Sequence, residues 1–277
     1  KQISEIVGVS IVNRENNDVV LYTSDGTTLF ETSPRKVTFQ RNLFYSASTT
    51  GNAIYIDGVA VDAAKSANTT ALGSLPALLQ VRDDIAPTFQ SQLDEIARGL
   101  ITIFAENGGT IAGLFQNGTS TTVPAAGTLV PGLAASIVVA PNAITNPSKV
   151  RDGSVNGTTQ NPDNNSSFST LLDKYDQAFD SSMAFDAAAG IDVQKTLITF
   201  SSNSLSWLES LRSSATAAGE SKTALLSRSA EAYSNMTGVS LDEELSLMLD
   251  LEQSYKAATK LVSAIDEMLQ ALLNIAS

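Results

Sequence analysis

Apolar residues near the end of the chain recur at alternating intervals of three and four positions from Met248 onward. This spacing is the heptad pattern of a helix that packs along another helix. A second apolar row widens the face and favours more than one partner helix; its members are Leu247, Leu261, Met268 and Ile275. We predict a helix over residues 241–275 whose contact face is formed by Leu241, Leu245, Met248, Leu251, Tyr255, Ala258, Val262, Ile265, Leu269 and Leu272.

The start of this helix is also predicted by the sequence. Gly238 favours a break after a preceding helix, and Ser240 is a good N-cap residue. Glu243 stands three positions after Ser240 and completes a capping box. Further acidic residues in the first turn, Asp242 and Glu244, complement the positive end of the helix dipole.

Residues 1–72 are predicted to form a mainly antiparallel β domain after a short helical start. Strand-like runs flank two Asp-Gly pairs, Asp25-Gly26 and Asp57-Gly58, which are typical hairpin turns. We therefore expect residues 8–65 to fold as an antiparallel unit. Its aromatic residues are expected to form its core: Tyr22, Phe30, Phe39, Phe44, Tyr45 and Tyr55.

Residues 73–107 have helical periodicity, with Pro87 expected to kink or divide the helix and Asn107-Gly108-Gly109 expected to end it. Residues 108–166 are rich in Gly, Thr, Asn and Pro, which indicates a loop-rich insertion with a β-hairpin. One arm of that hairpin is predicted at 135–139, and 152–167 is predicted to be an exposed loop.

Residues 167–237 are predicted to form long helices, one of them from about residue 192 to 236, and residues 238–277 form the heptad helix. The fold class is therefore α+β: a long α-helical bundle or coiled-coil-like rod with an inserted small antiparallel β domain. A strongly apolar helix needs a partner, so we expect 241–275 to pack against residues 168–236 or against another copy of the chain.

Composition narrows the possible functions. The chain of 277 residues has no Cys and no His, which removes disulfides, thiolate chemistry, the commonest general base and the commonest metal ligand. Its net charge of −12 argues against nucleic acid and anionic membranes as partners. No span-length apolar run and no signal peptide is visible, which leaves both cytoplasm and signal-peptide-free export open.

The acidic clusters are weak candidates for chemistry. Asp83-Asp84 and the 242–244 run are more typical of helix N-terminal charge than of an acid–base pair. The oxygen-rich stretch 152–163 lacks the ordered spacing of a calcium loop. We therefore predict no catalytic site, no cofactor and no bound metal.

Two parts of the chain resemble flagellar proteins. The segment L-E-Q-S-Y-K-A (251–257) and the closing D-E-M-L-Q-A-L-L-N-I (266–275) resemble the C-terminal helix of bacterial flagellar axial proteins. Upstream, 81–100, 122–141 and S-L-S-W-L-E-S-L-R (204–212) resemble the hook-associated family that joins hook to filament. Members of that family begin with a long helical segment. The absence of one before K-Q-I-S-E-I predicts a fragment that starts inside a longer protein.

The resemblance implies a structural subunit that self-assembles through its terminal helices and joins hook to filament. It makes the contact face of residues 241–272 an assembly interface. It also implies export through the flagellar type III route to the extracellular flagellum, without a cleaved signal peptide. The implied partners are further copies of the chain, the flagellar hook protein, the second hook–filament junction protein and a cytoplasmic export chaperone on the C-terminal helix.

Two alternatives stay open at this point. The chain is either such a structural subunit or a secreted module whose β domain binds carbohydrate or host surfaces through its aromatic residues. Within the flagellar class, hook protein shares the C-terminal ending, although the 81–100 and 122–141 segments argue against it. An enzyme is the least favoured class, because no nucleophile–base, metal or phosphate motif is present.

Overall fold

The computed structural model describes residues 2–15, 18–61, 73–238 and 241–275. The chain divides into two compact units, Lys1–Ala218 and Gly219–Ser277. Long helices accompany small antiparallel sheets, so the predicted α+β class is confirmed. The finer segment boundaries stay predictions.

The first unit opens with a short helix and a four-stranded antiparallel sheet. Helix α1 spans Gln2–Ile6, and the strands, in sheet order, are β1 (Val9–Asn13), β2 (Val19–Thr23), β3 (Thr28–Glu31) and β4 (Ser33–Pro34). The turn between β2 and β3 contains Asp25-Gly26, as predicted. The Thr27 amide and the Thr23 hydroxyl both donate to the Asp25 carboxylate, which lowers the pKa of that carboxyl.

A second sheet contains β5 (Val37–Phe39), β6 (Ile54–Ile56) and β7 (Val59–Ala60), again all antiparallel. The hairpin between β6 and β7 turns at Asp57 and Gly58, whose φ values of 51° and 84° are both positive, as a tight hairpin turn with right-handed twist requires. Both predicted hairpins are confirmed; residues 62–65 of the predicted unit lie outside the described residues.

The helix predicted within 73–107 is present from residue 74 to 103 and contains one irregular turn. It consists of α2 (Ser74–Gln80), a π-helical turn (Val81–Ile85) and α3 (Ala86–Ile103). The π-turn directly precedes Pro87, which lies in the first turn of α3. Pro87 has no N–H to donate, so the wider turn absorbs the disruption that the sequence predicts there.

Helix α3 is the centre of the first unit and contacts a hydrophobic cluster on each side. One cluster combines Ile103 of α3 with Phe185 and Phe200, whose rings stack 3.8 Å apart. The other combines Ala97 and Ile101 with Leu133. The insertion and the start of the following long helix therefore fold onto opposite sides of α3.

Buried polar side chains of α3 fix these contacts. Asp94 accepts hydrogen bonds from the Gly132 and Ala134 amides at 2.7 and 2.8 Å. Glu95 and Arg98 form an ion pair at 2.8 Å that is 0 and 1% exposed. Gln92 donates to the Ala189 carbonyl and accepts from the Ser204 hydroxyl. Because a buried polar group without a partner is costly, these bonds define how the surrounding segments can pack.

The insertion is less loop-like than its composition predicts. It contains β8 (Phe115–Asn117), α4 (Leu133–Ser136), β9 (Ile137–Val139), α5 (Pro141–Thr145) and α6 (Ser148–Asp152). Strand β9 pairs with β8, which gives the predicted hairpin pairing. Residues 135 and 136, however, belong to a helix, so that part of the strand prediction was wrong.

The prediction of an exposed loop over 152–167 was also wrong in part. Val155 is 1% exposed, and the carboxylate of Glu106 accepts hydrogen bonds from the Val155, Asn156 and Gly157 amides at 3.0, 3.1 and 2.6 Å. A Cβ on Gly157 would stand 2.9 Å from the Glu106 carboxylate and 2.7 Å from the Asn107 side-chain oxygen, so a residue without a side chain is needed there. A distant buried carboxylate therefore orders this polar segment.

The remaining elements are helical with one small interruption. Helix α7 (Thr170–Asp180) is followed by the two-stranded pair β10 (Met183–Ala184) and β11 (Gln194–Lys195), with a 3-10 turn at Ala187–Ala189 between them. Helix α8 spans Leu197–Thr237 and helix α9 spans Leu241–Ile275. The predicted range of the last helix is confirmed, and α8 begins five residues later than predicted.

Candidate assembly interface

Helix α9 begins where its sequence signals predict. Helix α8 ends at Thr237, and a Cβ on Gly238 would stand 2.5 Å from the Ser234 carbonyl oxygen, so a residue without a side chain suits the end of this helix. Asp242, Glu243 and Glu244 occupy the first turn of α9, next to the amide end of the helix. The predicted N-cap, Ser240, lies outside the described residues.

The predicted contact face of α9 is exposed in the structure. Its described large side chains are between 54 and 75% exposed; they are Leu245, Met248, Leu251, Tyr255, Val262, Ile265 and Leu269, with the exposed Ala258 among them. The side chains of Leu241 and Leu272 lie outside the described part. We call this set of ten predicted positions the α9 seam. The second row at Leu247, Leu261 and Met268 is exposed as well.

The described side chains of the α9 seam are not buried against the α8 part of their own unit, residues 219–237. Packing of α9 against the rest of residues 168–236, or against another copy of the chain, stays a prediction. Burying a Leu or Ile side chain completely is worth about 1.5–3 kcal/mol. Burying the whole apolar stripe would therefore release much favourable free energy. Exposed apolar surface of this extent is typical of an interaction site.

The polar side of α9 contains a local ion pair that supports the helix. Lys256 and Glu252 form an i,i+4 ion pair at 2.6 Å on the solvent side. A shallow apolar depression of about 570 Å³ lies along the first half of the α9 seam, between Leu245 and Tyr255. Its described lining residues belong to α9.

The C-terminal part of α8, in the same unit, is also rich in exposed apolar side chains. They are 65–88% exposed and comprise Leu225, Leu226, Tyr233 and Met236. Both helical segments of this unit thus present unburied apolar surface. Two such segments favour contact with more than one neighbouring helix, as the two apolar rows of α9 predict.

The shifted pKa values among the described residues have structural causes. Arg151 lowers the pKa of Asp152, and Arg14 lowers the pKa of Glu31. Burial raises the pKa of Tyr175 to about 12. No cluster of His, Cys, Asp and Glu suited to a metal ion is found among the residues that the structure describes.

The sequence prediction missed one surface. Phe39, Phe44, Tyr45 and Tyr55 were expected in the core of the β domain, but all four are exposed, Phe44 by 87%. The second sheet has only eight strand residues in its three strands, too few to cover them.

Membrane crossing has no support in the described residues, because none of the helices there is both long and apolar enough.

Comparison with known families places both ends of the chain in flagellar proteins. Residues 1–121 match the family model described as "Flagellar hook-associated protein FlgK helical domain". Residues 230–275, which include all ten positions of the α9 seam, match the model described as "Flagellar basal body rod FlgEFG protein C-terminal". No curated protein and no solved structure matches the chain significantly.

The two matches agree with the resemblance seen in the sequence. The C-terminal match covers the segments that resemble axial proteins, and the N-terminal match includes the 81–100 segment. Together they support a flagellar protein of the hook-associated or rod type, located in the bacterial flagellum.

Proposed function

We propose that the protein is a structural subunit that joins the flagellar hook to the filament and assembles through its terminal helices. The exposed α9 seam carries this proposal. It is a heptad stripe on a helix of 35 residues, and its described large side chains are more than half exposed. The match of residues 1–121 to a hook-associated helical domain supports the hook-associated assignment.

The seam suits a role in which many helices pack side by side. Heptad side chains insert between those of neighbouring helices, and the polar side with its Lys256–Glu252 pair stays available for water or for a polar contact. The partners proposed for this surface are further copies of the chain, the hook protein and the second junction protein. Before assembly, an export chaperone would cover the same apolar stripe.

The proposal includes export by the flagellar type III route to the extracellular flagellum and no enzymatic activity. A chain without Cys suits a structural role that does not depend on the redox state of its compartment. The described titratable residues that have shifted pKa values are explained by ion pairs, hydrogen bonds and burial, so no spare reactive group calls for a catalytic role.

The test compares two charge insertions on α9 in the intact protein. Ile265→Asp places a carboxylate in the α9 seam, and Ser263→Asp places the same charge on the polar side of the same helix turn. We expect Ile265→Asp to abolish incorporation at the hook–filament junction and motility. The Ser263→Asp variant should assemble and swim like the wild type.

Helix content by circular dichroism shows whether both purified variants keep α9 folded. Normal junction assembly with the Ile265→Asp variant would refute the proposed role of the seam. Loss of assembly with both variants would also count against it, because α9 would then be sensitive to a new charge on either side and not on the seam alone.

One observation favours a second candidate function. The exposed Phe39, Phe44, Tyr45 and Tyr55 make the β sheets of the first unit a possible surface for carbohydrate, since aromatic faces and polar neighbours bind sugars. A glycan-binding assay on the whole chain, with Phe44→Ser as the comparison, distinguishes it: the structural role predicts no binding by either.

A further inference from the structure

The first unit has an exposed surface that combines apolar and basic side chains. It runs along residues 36–45, from β5 into the connection to β6, and we call it the β5 patch. Its exposed side chains are Lys36, Phe39, Arg41, Leu43, Phe44 and Tyr45. Leu43 is 73% exposed and Phe44 is 87% exposed. Three consecutive large apolar side chains in water indicate an interaction surface more than a folding core.

The charge of the β5 patch is opposite to that of the chain. No Asp or Glu occurs between Glu31 and Asp57, whereas Arg35, Lys36 and Arg41 do. Arg35 is paired with both flanking carboxylates, but Lys36 and Arg41 are in no ion pair with any described residue. The chain has 17 Lys and Arg in all, so 14 remain outside this stretch, against 29 Asp and Glu. A second copy therefore offers the β5 patch a predominantly acidic surface.

The sign of this charge determines the symmetry of the contact. A two-fold contact would set one β5 patch against another and bring unpaired cations together. Like charges in an interface are unfavourable, so an isologous contact is disfavoured. The patch must meet a different surface of the next copy. Such a heterologous contact generates a ring or a helical array and not a closed dimer.

Helix α7 of the same unit carries a row of acidic side chains. Asp173, Asp176 and Asp180 lie three and four residues apart, so they share one side of the helix, and all three are exposed. None of them forms an ion pair with another described residue, and the exposed Leu172 lies beside them. Three like charges in one row are mildly unfavourable in an isolated helix, and a cationic partner would reverse that effect.

We propose that the β5 patch of one copy binds the α7 acidic row of the next copy. Phe44 and its neighbours supply the apolar centre of the contact, and Arg41 and Lys36 face Asp176 and Asp180. This inference rests on the proposed function in one respect, because both require copies of the chain to lie side by side. It adds a second, heterologous contact outside the α9 seam.

The test is made in the Ile265→Asp background, so that self-association through the α9 seam does not contribute. Sedimentation velocity measures the mass of the 277-residue chain against concentration, at low salt and at about 1 M salt, where charges more than ~3 Å apart are screened. We expect the mass to grow beyond that of a dimer at low salt and to fall in high salt.

Single and paired substitutions then locate the contact. Arg41→Glu and Asp176→Lys should each raise the concentration needed for association by about tenfold. The double variant Arg41→Glu/Asp176→Lys restores the opposite charges and should recover most of the association. Phe44→Ser should weaken association without changing the circular dichroism, because Phe44 is almost fully exposed. The control is Lys195→Glu, at an exposed residue outside both the β5 patch and α7. It changes the net charge by the same amount as Arg41→Glu.

Several results would overturn the proposal. Association that stops at a dimer contradicts the heterologous contact. If Lys195→Glu weakens association as much as Arg41→Glu does, the effect comes from net charge and not from the β5 patch. Failure of the double variant to recover rejects the α7 row. A mass change that requires added heparin, an acidic polysaccharide, makes a glycan the occupant. None of these results would refute the role of the α9 seam. That role is tested separately, by junction assembly of variants whose β5 patch is unchanged.

Discussion

Replacing Glu106 by Gln tests how the polar insertion is held on α3. The carboxylate is 1% exposed and accepts three backbone N–H groups, from Val155 through one oxygen and from Asn156 and Gly157 through the other. Gln keeps the shape but offers one acceptor oxygen. If that oxygen faces Asn156 and Gly157, the new amide group faces the Val155 N–H, which loses its partner.

The expected cost follows from these contacts. A buried N–H left without an acceptor costs about 1–3 kcal/mol, and two hydrogen bonds that lose their charge become weaker by a smaller amount. Relief from burying an ionised carboxylate offsets part of the loss. We therefore expect Glu106→Gln to destabilise the 155–157 segment by about 2 kcal/mol, or roughly 30-fold in its opening equilibrium.

Amide hydrogen exchange at Val155, Asn156 and Gly157 measures this directly. Exchange at these amides should be about 30-fold faster in Glu106→Gln, and the strands of the N-terminal sheet should be unaffected. The control Glu209→Gln removes an exposed carboxylate that pairs with Arg212, and it should change no amide rate in the insertion. Unchanged exchange at 155–157 in Glu106→Gln would refute the anchoring role of this carboxylate.

Two further predictions concern the same unit. Arg98→Met leaves the 0% exposed Glu95 without its bidentate partner and should lower the free energy of unfolding by about 3–5 kcal/mol in urea titrations, whereas Arg212→Met, in an exposed pair, should change it by less than about 1 kcal/mol. Burial raises the pKa of Tyr175 to about 12, so its contribution to stability is complete below the ordinary tyrosine pKa of about 10 and is lost as the pH rises through about 12. Phenolate absorbance should show a titration step near pH 12 that Tyr175→Phe removes; persistence of that step in the variant would contradict the assignment.

Local patterns predicted the elements that depend on local physics. The Asp-Gly turns require positive φ at fixed positions, and the heptad of α9 fixes both its helix and its apolar side. The α9 seam was therefore identified from spacing alone. Its exposure could not be deduced from the pattern, because the same periodicity describes a helix in the core of a bundle.

The errors occur where distant residues decide the structure. The order of the 152–167 segment depends on Glu106, about 50 positions away along the chain, and composition alone indicates a loop. The aromatic residues of the second sheet were expected to be buried because aromatic side chains usually are. One signal was available there: the run of residues without any carboxylate between Glu31 and Asp57.

The proposed function requires that the α9 seam becomes buried when the protein assembles. The chain has no cysteine, so a single Ile265→Cys or Ser263→Cys substitution provides a unique thiol in it. The measurement is maleimide labelling of that residue, read by mass spectrometry, in the soluble protein and in isolated hook–filament junctions. Both thiols should react in the soluble protein, because both positions are exposed. In junctions we expect strong protection of Ile265→Cys relative to Ser263→Cys, and equal labelling of Ile265→Cys before and after assembly would contradict burial of the seam.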